Sequence, residues 1–336
     1  MYINGQPCGG AFFRGERIFD ATPKDEPFYI EDISGSANTL SIAENDESAY
    51  SINVEKSTDG ITWESIGYTS INAITAVIPA YGKLYLRART NFWGSASGYG
   101  NIITASGRHN VGGNIMSLLQ GSSFDGLTRN LTSVNTYAFC MLFYGNTNLV
   151  SAEKLILNNT VVGRCYQQMF RDCTSLTTAP SILPATTLAI ECYISMFQGC
   201  TSLTTAPTLP ATTLASGCYY QMFRGCTSLT TAPSLPATTL TTYCYDSMFR
   251  DCTALTTAPD LPAATLVQAC YQRMFQGCSS LNYIKCLATN ISANYCVREW
   301  VNNIAASGTF IKDAEMASWP TGYSGIPSNW TVQDAA

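Results

Sequence analysis

The chain has 336 residues, of which 46% are hydrophobic and only 12% charged, with a formal net charge of −5. That length leaves room for two or three domains, and the weakly acidic balance excludes the basic patch that nucleic acid or an anionic membrane would require. No apolar run reaches the roughly 18 residues of a membrane-spanning helix, so no membrane insertion is expected.

Residues 1–24 are rich in glycine (Gly5, Gly9, Gly10, Gly15), with a polar stretch at Ala21–Asp25. They read as an irregular arm that docks onto another protein, with a disordered terminus as the alternative. MYINGQPCGG lacks the apolar region of a secretory signal, and Cys8 does not read as a lipoprotein cysteine. If this is the native start, the chain is expected to stay in the cell where it is made or to leave by another route, such as lysis.

Residues 25–105 read as all-β. PFYIEDI, TLSIA, SINVEKS, ITWESIGYT, AITAVIPA and KLYLRART are short runs of β-branched and aromatic residues that alternate with polar ones. Asp59-Gly60 lies between two of them as a hairpin signal. A small sandwich of the immunoglobulin or fibronectin type is expected, though the Cys…Trp…Cys pattern of antibody domains is missing.

Residues 106–164 lead into a repeat. Ile115, Met116, Leu118 and Leu119 predict one short apolar helix before Gly121. A degenerate copy follows, with Ala138-Phe139 at the Cys-Tyr position, Leu142-Phe143 at the Met-Phe position and Asn146 in place of the second cysteine. From residue 165 to 296 the copies are regular: CYQQMFRDC, CYISMFQGC, CYYQMFRGC, CYDSMFRDC and CYQRMFQGC start 27, 26, 26 and 26 residues apart. The linking segments TSLTTAPSILPATTL, TSLTTAPTLPATTL, TSLTTAPSLPATTL and TALTTAPDLPAATL are nearly constant, and Ile182 is the inserted residue.

A fixed period of this size predicts a stacked solenoid with an extended surface, not a catalytic pocket. Tyr193, Met196 and Phe197 at i, i+3 and i+4 suit one helical or 3₁₀ turn per repeat. SLTTA suits a short strand, stopped by Pro207, with Pro210 fixing the next corner. After Leu281 both prolines disappear from LNYIKCLATNIS, while Cys296 keeps the step. Val297, Trp300, Val301 and Ile304 predict a helical stripe closed by Gly308. Residues 297–336 then form a C-terminal cap, with Trp319 and Trp330 over the end of the core.

The stretches MFRDCTSLTTAP, MFQGCTSLTTAP, MFRGCTSLTTAP and MFRDCTALTTAP resemble the BspA-like class of leucine-rich repeats, over roughly residues 138–305. NVGGNIMSLLQG, ISANYCVREWVNNIAASGTF and GIPSNWTVQD resemble proteins of gut Bacteroides and of the virions of the crAss-like phages that infect them. The resemblance implies a role in binding or display, and with the strands that precede the repeats the expected fold is mixed, an N-terminal β-sandwich followed by a capped leucine-rich-repeat solenoid.

Few residues suit catalysis. His109, in a loop-like GRHN stretch, is the single histidine. Cysteines 165, 192, 218, 244, 270 and 173, 200, 226, 252, 278 form two columns, with Cys140, Cys286 and Cys296 beside them. Their C-x₇-C spacing does not suit zinc. Stacked side chains pointing the same way do not suit a disulfide ladder, so packing as buried thiols is the reading favoured. LPATT at Leu183, Leu209 and Leu235 matches a sortase signal in letters only, and Glu44, Asp46 and Glu47 lack the spacing of a calcium loop. No cofactor and no metal are expected.

Variation is confined to a few positions. The pairs after Cys-Tyr are Gln167-Gln168, Ile194-Ser195, Tyr220-Gln221, Asp246-Ser247 and Gln272-Arg273, and the column after Met-Phe is Arg171, Gln198, Arg224, Arg250 and Gln276. Arg171, Gln198, Arg224, Arg250, Gln276, Tyr220 and Gln168 are the candidate ligand-binding surface, with ordinary solvated surface as the alternative. The expected function is a non-enzymatic virion protein, a head or tail fibre. Its arm would bind other virion proteins and its repeats a host-surface glycan or protein, in a dimer or trimer. A secreted or cell-surface bacterial adhesin is the alternative.

Overall fold

The computed structural model describes residues 26–44, 52–68, 73–89, 101–121 and 136–335, together with Phe124, Leu131 and the backbone of four short strands before residue 20. The fold is β-rich: strands lie in five sheets, and a single four-residue helix occurs among the described residues. The glycine-rich start carries two small antiparallel pairs, β1 (Tyr2–Ile3) with β2 (Gln6–Pro7) and β3 (Ala11–Phe13) with β4 (Glu16–Phe19). That corrects the expectation of an irregular arm, although Ala21–Asp25, Cys8, Asp46 and Glu47 lie outside the described residues.

The six alternating segments each form a strand: β5 (Tyr29–Asp32), β6 (Asn38–Glu44), β7 (Asn53–Ser57), β8 (Glu64–Tyr68), β9 (Ile74–Ile78) and β10 (Lys83–Arg89). Two more follow, β11 (Asn101–Ala105) and β12 (His109–Asn114), and then the long β13 (Leu149–Ile156). One sheet runs β13-β12-β5-β10-β7-β8 and the other β11-β6-β9. Both bury alternate residues in a common core, Ile30, Leu84 and Leu86 from the first and Leu40, Ile42, Ile78 and Ile103 from the second. Asp59-Gly60 does turn β7 into antiparallel β8, with the Asp59 carboxylate accepting from Ile61 N and Thr62 N and Gly60 at φ +73°. The short helix α1 (Ser117–Gln120) lies where it is expected, and Ser117 Oγ ties it to Leu86 O at 2.9 Å.

From residue 136 the chain builds layers. Within each Cys-Tyr…Cys segment, alternate amides bond inside and outside the segment. Cys165, Gln167, Met169, Arg171 and Cys173 each donate to the carbonyl three residues earlier. Arg164, Tyr166, Gln168, Phe170 and Asp172 donate to the carbonyls of Ile190, Cys192, Ile194, Met196 and Gln198, in the next layer. The third residue of every second turn has positive φ: Arg164 at 57°, Gln168 at 55° and Asp172 at 60°. These are linked type II turns.

The expected helical or 3₁₀ turn is therefore not formed. A helix would close every amide on its own segment, whereas here half of them join one layer to the next. The side-chain spacing is the same in both geometries, because the turns send two residues in and two out: Cys-Tyr in, Gln-Gln out, Met-Phe in. The stripe of Val297, Trp300 and Val301 is likewise a turn layer, with Tyr295, Glu299 and Asn303 at positive φ, and not a helix. Gly308 is needed for close approach, since a Cβ there would stand 2.3 Å from Asn282 O.

The expected strand of each repeat shrinks to single parallel bridges, Ser151 to Thr178, Thr178 to Thr205 and Thr205 to Thr231. Pro180, Pro207, Pro233 and Pro259 stop the pairing from spreading. Where the prolines are gone, a regular parallel sheet appears: β14 (Tyr283–Cys286), β15 (Thr309–Lys312) and β16 (Thr331–Asp334).

Two aromatic columns run through the layers. One passes from Phe139 through Tyr166, Tyr193, Tyr219, Tyr245 and Tyr271 to Trp300, with centroids 5.5–6.3 Å apart. The other runs from Phe28, beside β5, through Phe143, Phe170, Phe197, Phe223, Phe249 and Phe275 to the same Trp300. Trp319 stacks on Trp300 at 5.7 Å, and Trp330 Nε1 donates to Ala305 O, so both tryptophans cover the end of the core.

Candidate functional site

The inward positions of each layer are filled by the repeat's constant residues and leave no group accessible. All thirteen described cysteines are buried, and none of them forms a disulfide. Burial pushes their thiols up, to about 12 for Cys140, Cys165, Cys278 and Cys286. The second column also has a bonding role. Cys173, Cys200, Cys226, Cys252 and Cys278 direct Sγ at the Phe carbonyl of the preceding layer, at 2.9–3.1 Å. Among the described residues no three His, Cys, Asp or Glu side chains gather as a metal site.

His109 is not in a loop. It opens β12 and is fully buried, with Nδ1 2.9 Å from Gly107 O and Nε2 3.1 Å from Asn146 Nδ2. Burial lowers its proton affinity, against smaller opposing effects of the Gly107 carbonyl and Asp32. A neutral ring protonated on Nδ1 satisfies both contacts. Asn146 also donates to Ile103 O at 3.1 Å, the task that thiols perform in later layers. The imidazole is thus a joint between the sheets and the first layer.

The outward pairs are the remaining surface. In each layer they are the second and third residues of the type II turns, so equivalent pairs stand above one another along the stack. The structure brings Arg171, Gln198, Arg224, Arg250 and Gln276 into one column, and Gln168 and Tyr220 into the neighbouring pair of columns; all seven are half-buried. Arg171 lies over the Tyr144 ring at 5.7 Å, and Arg224 and Arg250 approach Asp251 at 3.9 and 3.4 Å. Nε of Arg171 and Arg250 and Oε1 of Gln198 and Gln276 are buried without a hydrogen-bond partner.

Ion pairs tie most acids of this face down. Arg164 pairs with Glu191, Arg171 with Asp172, and Arg273 with Glu299 at 2.9 Å. Asp246 differs: it is only 3% exposed, and the hydrogen bond shown to its carboxylate comes from Ser247 Oγ at 2.7 Å. Burial pushes its carboxyl up to about 6, against the Ser247 hydrogen bond and the charges of Arg273 and Arg250. The sequence marks Asp246 as variable. It gives no sign of the burial.

No protein-family model matches the chain, and no curated protein or solved structure matches it. No helix among the described residues is long and apolar enough to cross a membrane.

Proposed function

We propose that the chain is a non-enzymatic display protein: an immunoglobulin- or fibronectin-like sandwich followed by a capped leucine-rich solenoid, built into a phage virion as a head or tail fibre. The observation that carries this reading is the division of labour within each layer. Inward residues repeat almost without change and form continuous stacks, while outward pairs hold different polar side chains in fixed register. A rigid scaffold with a freely varied surface serves recognition of an extended partner. The N-terminal hairpins would attach the molecule to other virion proteins, as a dimer or trimer, and the repeat face would meet a host-surface glycan or protein.

Mass spectrometry and cryo-EM of purified virions test the assignment. Peptides of this chain at fixed stoichiometry, with density for a layered rod on the particle surface, are expected. Virions without the chain overturn it, and detection on uninfected bacterial cells would move it to a surface adhesin.

A further inference from the structure

We propose that the outward face carries a carbohydrate subsite centred on Asp246, taking an uncharged sugar whose adjacent hydroxyls donate to the carboxylate. The proposal rests on the display reading only in requiring that this face be free to meet a ligand.

Asp246 belongs to an outward pair, yet it is almost fully buried and no basic side chain among the described residues forms an ion pair with it. The other acids of the outward pairs, Asp172, Glu191, Asp251 and Glu299, are all ion-paired. Arg273, in the layer after, is held by Glu299. Arg250, in the same layer, faces Asp251 with its Nε at 3.4 Å, an ion pair that leaves this Nε without a hydrogen bond. A buried carboxylate held by no ion pair costs the fold stability, even where the charges of Arg273 and Arg250 offset part of the cost of its burial. The stack does not require it, since the equivalent positions are Gln167, Ile194, Tyr220 and Gln272. Groups that burden the fold without serving its packing concentrate at binding sites.

The surrounding charges select the ligand. Arg224, Arg250 and Arg273 all lie within electrostatic reach of Tyr220, one layer before Asp246, and repel an ammonium group. Asp246 itself repels an anion. A metal ion finds no third ligand among the described residues. What suits both signs is a group that donates to the carboxylate and accepts from the guanidinium groups without a charge of its own, and an alcohol does this. Two such groups on one ring would engage Asp246 and Arg250 together, with Ser247 Oγ beside them. Tyr220 stands in the same column, in a stack whose layers are 5.7–5.8 Å apart by ring centroids, and its half-buried ring offers an apolar platform for the C–H face of a sugar.

The test passes the full chain over surfaces bearing mannose, galactose, glucose, fucose, N-acetylglucosamine or N-acetylgalactosamine, with N-acetylneuraminic acid and polylysine as charged comparators. The wild-type chain should be retained by at least one neutral sugar. Asp246→Asn should weaken that retention at least about tenfold, as loss of a charge-assisted hydrogen bond does. Tyr220→Ala should weaken it as well, and Asp260→Asn, whose carboxylate is exposed and paired with Lys285, should not. Retention should also fall as pH drops through about 6, where Asp246 protonates. The other groups facing this position are Arg224, Arg250, Arg273 and Tyr220, and burial raises the Tyr220 hydroxyl and the Glu299 hydrogen bond raises Arg273, both away from that range. Equal retention of Asp246→Asn and wild type, binding to charged surfaces alone, or no retention on any neutral sugar overturns the proposal. In any of these cases, continued attachment of the wild-type chain to host cells leaves the display reading standing and removes this subsite alone; loss of attachment removes both.

Discussion

Asp246 and Asp32 show how the same side chain can burden or support the fold. Asp246 is raised from 3.8 to about 6 by burial. Below 3.8 it is protonated whether the chain is folded or unfolded. Between there and about 6 the folded state holds the proton more tightly, so stability from this group declines as pH rises and stays low above about 6. Asp246→Asn should therefore melt higher than wild type at neutral pH, by about 1–3 °C. The gap should close as pH falls toward 4, and calorimetry at several pH values reads it. Asp32 has the opposite sign. Burial pushes its carboxyl up, but hydrogen bonds from Ser34, Tyr81 and Gly35 outweigh that and hold it at about 2. Its contribution is complete above 3.8 and is lost as pH falls through about 2. Asp32→Asn should cost about 1.5–3 kcal/mol at neutral pH, seen as a lower denaturation midpoint.

At the scale of the element, the linked turns are the feature least visible in the chain. Gln168, Ser195, Gln221, Ser247 and Arg273 all occupy left-handed positions, where a side chain costs about 1 kcal/mol or more. Gly199, Gly225 and Gly277 occupy the equivalent position one turn later, where no such cost arises. The inter-layer hydrogen bonds hold the strained residues in place. Gln168→Gly should therefore stabilise the protein by about 0.5–1 kcal/mol, and Gln167→Gly, at the preceding position with ordinary φ, should destabilise it by a similar amount. Paired denaturant titrations check this, and a helical segment would be destabilised by both. The alternation of AITAVIPA and KLYLRART showed strands β9 and β10 plainly, because half-buried sheets impose a period of two on side chains. Met-Phe spacing misled because two-in, two-out turns place side chains at helical intervals while using the backbone differently. The columns of variable residues could be read against a constant background. The lack of an ion pair at Asp246 could not, because pairs on this face form both within a layer and between layers.

Across the molecule, the described layers run between the sheets at one end and Trp300, Trp319 and Trp330 at the other. The sheets meet the first layer through contacts that include Phe28 on Phe143 at 6.0 Å, β12 paired in parallel with β13, His109 bonded to Asn146, and the Ile103 amide donating to Leu142 O. At the far end both aromatic columns converge on Trp300, whose Nε1 donates to Gly325 O at 2.8 Å. Trp300→Ala should cost about 3–5 kcal/mol. The loss should begin at the C-terminal layers, and hydrogen exchange should show amides of residues 269–303 losing protection before those near Phe143. The opposite end offers a sharper test. Asn146 replaces the column's usual cysteine, so Asn146→Cys restores the repeat consensus. In an isolated stack that change should be harmless, because a thiol can donate to the preceding carbonyl, as Cys173 does to Phe143. Here it leaves His109 Nε2 fully buried with no donor, which should cost about 1–3 kcal/mol. The converse, Cys226→Asn, places an amide where no imidazole receives it and should also destabilise. If Asn146→Cys melts at the wild-type temperature, the sheets and the layers are not joined through His109. If it melts lower, the departure from the repeat at Asn146 provides one of the contacts that fasten the layers to the sheets.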